Sequence, residues 1–367
     1  MPKFYEVYGN DVYDNSPKVV SERASAYCPF TDSTCDGGGN RHQTKIRLDN
    51  SPLRDKFDSD LSSVIPGICS IEYGNDVWIV CPRRLLGFKS RPEEISVNKS
   101  LKLHEKEALL AAGLPQNVEL GVWSEVYLQY GDDEASINYH FDFIISKIER
   151  DITFSKAIAL HDIAAVSDIE EIQKSAKTGK YISGKFDPNK NIKYFPNLNE
   201  PFIIEVMTAS TSGSDTAAGT DIASSFTSAI LGNIHNCPGI NKRQVWGRMA
   251  TQLFAKSALA EFWGGKTIWL VQDQLLKNIE LTTKLSIESS SQSEHKSGKV
   301  NFLSMKYSQG KKGENALTLS SYVEKNSGIK LDGSDECTDI LLPKIYPEKR
   351  ELLKAVLRRE LSAIIKL

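Results

Sequence analysis

The alternation of apolar and polar positions divides the chain into a turn-rich beginning and a middle of strands and helices. Ile137–Ile148 reads as a strand centred on Asn138-Tyr139-His140-Phe141-Asp142-Phe143-Ile144-Ile145, and Pro201–Thr208 as a second strand of buried type. Val118–Tyr130 is apolar and aromatic and runs into a Gly131-Asp132-Asp133 turn. Helices are predicted over residues 101–113, closed by Gly113, over Asp221–Leu231, and over Asn241–Phe262, ended by Gly264-Gly265. Thr267–Val271 is a further buried strand. The strand–helix–strand step that reaches it favours parallel pairing with a right-handed crossover. Pro347–Leu367 reads as a helix with Lys and Arg on its exposed side. Residues 151–200 read as a polar-to-mixed insertion and 286–300 as a low-complexity loop, and no internal repeat is visible.

This order predicts an α/β fold with a mixed central sheet flanked by helices. Residues 1–100 would form a four-cysteine metal-binding module concerned with recognition. Residues 101–285 would form the core, including the 151–200 insertion, and residues 286–367 C-terminal strands and a helix that contact a ligand or dimerise. The 367 residues suit one large domain with insertions or two domains. With 40% hydrophobic and 25% charged residues, the composition is globular. No apolar run approaches the roughly 20 residues that span a bilayer, and Met1-Pro2-Lys3-Phe4-Tyr5-Glu6 lacks a signal-peptide core. A cytoplasmic address without a membrane partner is therefore expected, where thiols persist for metals. The net charge of −2, from 45 basic and 47 acidic side chains, neither invites nor forbids nucleic acid.

Four of the six cysteines crowd the first quarter: Cys28, Cys35, Cys69 and Cys81. Their spacings are wider than the C-x2-C pairs of zinc fingers. One reading is a closed tetrathiolate holding iron or zinc, structural because it leaves no open coordination position. The other is four ordinary buried cysteines. The Cys35-Asp36-Gly37-Gly38-Gly39 loop favours the first, since three glycines do not belong to an apolar run. Cys237 and Cys337 read as ordinary cysteines. Downstream, Asp142 and Glu205 each put a carboxylate inside an apolar strand, which is costly unless the acid is paired or holds a cation. Together they suit Mg²⁺, with Glu125 as a third acid. A structural ion pair, or a strand end facing water, is the competing reading. Asn241-Lys242-Arg243-Gln244 places donors at a helix start, where a phosphate oxygen fits. Arg41, His42 and Gln43 are weaker candidates for reading base edges, and His140 shares a strand face with Asp142.

Taken in order, Cys28-Pro29-Phe30, Trp78-Ile79-Val80-Cys81-Pro82-Arg83-Arg84, Phe141-Asp142-Phe143 and Ile204-Glu205-Val206-Met207-Thr208 resemble the NotI-like type II restriction endonucleases of the PD-(D/E)XK superfamily. A looser similarity covers Asn241–Trp269. The resemblance implies a restriction-endonuclease-like core in a cytoplasmic prokaryotic enzyme. That enzyme would be a homodimer that hydrolyses phosphodiester bonds in palindromic double-stranded DNA with Mg²⁺. It implies Asp142 and Glu205 as catalytic metal ligands, Glu125 as an upstream core acid, and iron in the cysteine site. Such enzymes carry Lys or Gln two residues after the glutamate, where this chain has Met207. A thioether does not orient water, so Gln244, Lys242 or Thr208 is expected to stand in, with Gln244 preferred. Met207 also admits a catalytically weakened or inactive DNA-binding protein with a structural metal site. An unrelated metalloprotein using the cysteines is a third reading.

Overall fold

Strands form where β-branched and aromatic residues alternate, and they fall into two main sheets. The structure, a computed structural model, describes residues 1–38, 44–88, 96–97, 101–131, 136–185, 187–241, 243–283, 289–290, 299–307, 319–330 and 341–367. An N-terminal sheet contains β1 (Lys3–Val7), β2 (Ile68–Tyr73) and β3 (Asp76–Ile79), paired antiparallel, with the short strand Asn10–Asp11 on its β1 edge. The central sheet is built on β4 (Glu119–Gly131), β5 (Ser136–Thr153), β6 (Asn191–Met207), β7 (Lys266–Gln272), β8 (Lys299–Tyr307), β9 (Leu319–Lys330) and β10 (Ala363–Lys366). Among the described residues its order is Ser289–Ser290, β9, β8, β7, β6, β5, β4, β10, Ser96–Val97. The pairings β6–β7 and β7–β8 are parallel, whereas β4–β5 and β5–β6 are antiparallel, so the sheet is mixed as expected.

Helices cover both faces of this sheet. The helices described are α1 (Pro17–Ala24), which packs near Tyr27–Cys28 and not on this sheet, α2 (Leu103–Ala111), α3 (Phe154–Ala159), α4 (Val166–Thr178), α5 (Ile222–Ile230), α6 (Arg243–Phe262), α7 (Asp273–Thr282) and α8 (Lys349–Leu357). Local chemistry sets several of their ends. Asp221 accepts the Ser224 N–H at 2.9 Å and so starts α5. The α2 start is held by Glu105, which accepts the Lys102 N–H at 3.0 Å. Past α6, Gly264 takes φ +72, a conformation that costs other residues energy. On one face, α3, α4, α6 and α8 pack on Trp123, Phe141, Ile144 and Ile203. On the other, α2 joins Leu85, Leu86 and Phe88 over Val122, Ile145, Ile204 and Ile268. Among the described residues no helix is long and apolar enough to cross a membrane.

Two expectations change. The insertion over 151–200 is not a detour from the sheet: it holds α3, α4 and the first half of β6, which begins at Asn191. Nor is Pro347–Leu367 one helix. The chain leaves α8 at Leu357, and Ala363–Lys366 runs antiparallel to β4. The Ala-Ile-Ile run there favours a strand. Lys354 lies inward, where it pairs with Asp168, Glu171 and Glu351. Residues 286–288, 291–298 and Cys337 lie outside the described residues.

The boundary near residue 100 does not separate two cores. Phe4, Tyr8, Trp78 and Val80 share one apolar cluster with Met207, Phe226, Trp269 and Val271. Gln272 clasps β3, accepting the Ile79 N–H at 2.8 Å and donating to the Val77 carbonyl at 2.6 Å. A buried polar knot adds to this. Glu6 accepts from Arg84 at 2.9–3.1 Å, from Ser70 at 2.8 Å and from Tyr307 on β8 at 2.7 Å. Removing one partner of such a pair leaves an uncompensated buried charge, so Arg84→Ala is expected to cost about 3–5 kcal/mol. Urea unfolding checks this, and the Glu6→Met/Arg84→Met double variant should lose less than Arg84→Ala alone.

Candidate functional site

The site forms where β5 and β6 part company. Phe143 pairs with Ile204 across the two strands, which brings Asp142 level with Glu205. Beyond this level Asp142 replaces the strand ladder with its side chain, Oδ2 accepting the Val206 N–H at 2.8 Å. Glu205 is buried at 3% exposure. The side chain that meets it comes from α6: Lys256 Nζ lies 2.6 Å from Glu205 Oε2 and is equally buried. The Lys256 ammonium also sits 5.6 Å from the Phe141 ring centre and 5.9 Å from that of Trp269. Glu205 Oε1, by contrast, is buried with no hydrogen-bond partner among the described residues.

The third acid is brought in by a break in strand phase. On β4, Trp123 and Val126 share one apolar cluster while Val122 belongs to the opposite one. On β5, Phe141 and Ile144 likewise lie together, opposite Ile145. Strict alternation forbids residues three apart from sharing a face. Both strands therefore slip by one position between these residues, and register is kept from Ser124↔Phe143 to Val126↔Phe141. Glu125 absorbs the slip with φ +53, which costs a non-glycine residue about 1 kcal/mol or more. Glu125, Asp142, Glu205 and Lys256 thus form one constellation.

The electrostatics agree. Burial pushes Glu205 up to about 8, with the nearby Asp142 charge adding and Lys256 opposing. Asp142 is also raised by burial, against the pull of Lys256 and the Val206 N–H. The Glu125 carboxyl is raised by lost hydration and then by Asp142, while Arg83, His140 and Arg359 oppose. His140 is therefore close to the acids. It is exposed and packs on Tyr127, ring centres 4.5 Å apart.

Met207 is buried in the apolar cluster shared with the N-terminal sheet, so its position offers no polar group. The Thr208 hydroxyl is engaged elsewhere, donating to the Val80 carbonyl at 3.4 Å. Gln244 is the second residue of α6, twelve before Lys256, or about 18 Å along the axis. The ammonium beside Glu205 is thus Lys256, which the sequence reading missed. A signal existed: Leu253, Leu259 and Ala260, at helical spacing from Lys256, mark its face as buried. Lys242, Arg41, His42, Gln43 and His295 lie outside the described residues. His161 bonds the Pro196 carbonyl, and His235 accepts the Phe4 N–H, both remote from the acids in the chain.

The four N-terminal cysteines do come together. Cys28, Cys69 and Cys81 pack with Phe30, and Cys35 lies against them. Cys35 donates to Cys28, which lowers Cys28 to about 6 and raises Cys35. Backbone N–H groups point at the sulfurs, Gly9 at Cys69 (3.2 Å) and Gly37 at Cys35 (3.4 Å). The Arg83 and Arg84 amides do the same for Cys81, whose thiol burial raises to about 12. A Cβ on Gly38 would fall 2.3 Å from Cys81 Sγ, so the glycine loop wraps this sulfur closely. Yet among the described residues no group of three or more His, Cys, Asp or Glu side chains is arranged to hold a metal ion. The four-cysteine metal module expected from the sequence is therefore not shown. The buried Cys237 is not part of the cluster.

The chain matches no model of a known family and no curated protein.

The Glu205–Lys256 pair makes a pH-dependent prediction. Without Lys256, Glu205 escapes the penalty by holding its proton, which is easy at low pH and costly at high pH. Lys256→Ala is expected to destabilise by about 3–5 kcal/mol at pH 9 and clearly less at pH 6. Urea unfolding across that range is the check, and a loss independent of pH would contradict the pairing.

Proposed function

We propose that this protein is a NotI-like type II restriction endonuclease, a Mg²⁺-dependent hydrolase of phosphodiester bonds in double-stranded DNA. It would act as a homodimer on a palindromic sequence. The observation that carries the reading is the constellation of Glu125, Asp142, Glu205 and Lys256 at the parting of two strands. Three acids held above their ordinary pKa, with Glu205 buried against the Lys256 ammonium, Asp142 half-buried and Glu125 exposed, suit metal-assisted phosphoryl chemistry. The donor set fits Mg²⁺: hard carboxylate oxygens, one of them, Glu205 Oε1, buried and without a partner among the described residues. When bound, Mg²⁺ supplies Lewis-acid stabilisation of the phosphate charge and a more acidic water.

The chain's own residues do the rest. The Val206 N–H fixes one oxygen of Asp142 and leaves the other for a cation. Lys256, anchored by Glu205 and the apolar helix face around it, takes the part that Lys or Gln plays two residues after the glutamate in relatives. Its ammonium orients the attacking water and steadies the charge that develops on the phosphate. Met207 therefore no longer favours an inactive protein. The cysteine cluster suits a structural iron or zinc: four gathered sulfurs, mostly buried, with N–H groups that stabilise thiolates.

Phage DNA incubated with the protein and Mg²⁺ should give discrete fragments. Lys256→Met should lower kcat by about 10²–10⁴-fold while DNA still shifts on a gel. Asp142→Asn should abolish cleavage. A wild-type protein that shifts DNA without cutting it would sink the nuclease reading. Separately, elemental analysis should find one iron or zinc per chain, lost in Cys69→Ser, and metal-free protein with four titratable cluster thiols would refute the tetrathiolate.

A further inference from the structure

Strand pairing of β4 with β10 runs from Glu119 to Val122, which faces Ala363. Beyond it Glu125 takes φ +53, and a left-handed residue inside a strand persists only where its surroundings hold it. On the edge that faces β10, side chains take over from the strand. The Ser362 N–H donates to the Val122 carbonyl at 2.8 Å. The Ser124 N–H donates to Ser362 Oγ at 3.1 Å, and Arg359 Nε donates to the Ser124 carbonyl at 3.2 Å. The segment between α8 and β10 thus meets the backbone groups that β4 turns toward it. The last of them, the Ser124 carbonyl, lies in the peptide plane that joins Ser124 to Glu125. Fixing that plane fixes one side of the strained φ torsion of Glu125.

Arg359 is itself braced. Its carbonyl accepts the Tyr181 hydroxyl at 2.9 Å, and that hydroxyl accepts from Nε1 of the buried Trp123 at 2.6 Å. The next residue, Glu360, pairs with Lys180 at 2.8 Å. Gly179 sits so close to this turn that a Cβ there would fall 2.2 Å from the Leu357 carbonyl oxygen. The end of α4 therefore supports the chain that carries Arg359. The arginine is exposed, so its bond to the Ser124 carbonyl, not core packing, ties its side chain to β4. On the other edge of β4, the pairs Ser124↔Phe143 and Val126↔Phe141 set Glu125 opposite Asp142.

On the endonuclease reading, on which this rests, we infer that Arg359 is a positioning residue for Glu125. Together with Ser362 it holds the Ser124–Glu125 peptide plane and so presents the Glu125 carboxylate to the divalent cation shared with Asp142 and Glu205. Without that bond the plane turns toward ordinary extended geometry, which relieves Glu125 and swings its carboxylate away. The C-terminal segment thereby takes part in metal binding without supplying a ligand.

Mn²⁺ is the probe, since it takes the same hard oxygen ligands and its free ion is read by electron paramagnetic resonance without DNA. The Mn²⁺ that counts is bound by full-length wild type and lost in Asp142→Asn. Arg359→Ala should bind it about tenfold more weakly. Ser362→Ala should shift affinity in the same direction, and Arg359→Lys, which keeps a donor, should recover most of it. Arg359→Ala added to Glu125→Gln should cost no further affinity, because the arginine acts through that carboxylate. With phage DNA, the Mg²⁺ concentration for half-maximal cleavage should rise by the same factor while KM for DNA holds. Wild-type affinity for Mn²⁺ in Arg359→Ala, or losses that multiply in the double variant with Glu125→Gln, would overturn the inference and leave the endonuclease reading standing. So would a raised KM for DNA with Mn²⁺ affinity intact, since the guanidinium would then be meeting the substrate. A wild type that neither binds Mn²⁺ nor cuts DNA would overturn both.

Discussion

The buried ion pair between Glu205 and Lys256 is the constraint around which the centre of the molecule is arranged. A carboxylate and an ammonium this deep in the protein are each several kcal/mol out of place unless they meet. Their meeting fixes how α6 lies across β6 and β7. Lys256 stands between two apolar groups, with Leu253 in the one shared with the N-terminal sheet and Leu259 and Ala260 in the other. The helix is thereby registered by one polar contact amid non-directional packing. That contact also tunes the site, since it opposes the burial that drives Glu205 towards its neutral form.

The N-terminal residues are built into the same frame. The Gln272 clasp on β3 and the Glu6–Arg84–Tyr307 knot tie β1, the turn after Cys81 and β8 into one body. The consequence is geometric. A cluster of sulfurs on loops would ordinarily sit loosely relative to a sheet. Here the residues directly after Cys81 are pinned to the sheet by a bidentate buried pair, so the loops and the acids hold a fixed relation.

Much of this was legible in the sequence. Alternation located β5, the latter half of β6 and β7, and turn and cap residues located α5 and α6, whereas the apolar and aromatic run of β4 was not assigned to a strand. Asp142 and Glu205 stood out because an acid in an apolar strand demands a partner. What local pattern did not show was tertiary. Lys256 resembles any helical lysine until its apolar neighbours at helical spacing are noticed. The slip at Glu125 needs both strands to be seen at once, since neither sequence announces it. Ala363–Lys366 reads as helix in the sequence because its apolar run is as compatible with a helical stripe as with an edge strand. Only the exposed edge of β4 decides between them.

The origin of Lys256 on α6, rather than on the strand that carries Glu205, bears on how the chain matures. When acid and amine share one strand, they are neighbours as soon as the strand exists. Here they are 51 residues apart in the chain, and they meet only when the helix docks. Until then Glu205 has no cation beside it and Lys256 has no reason to face inward. The constellation is thus incomplete until α6 docks on the sheet.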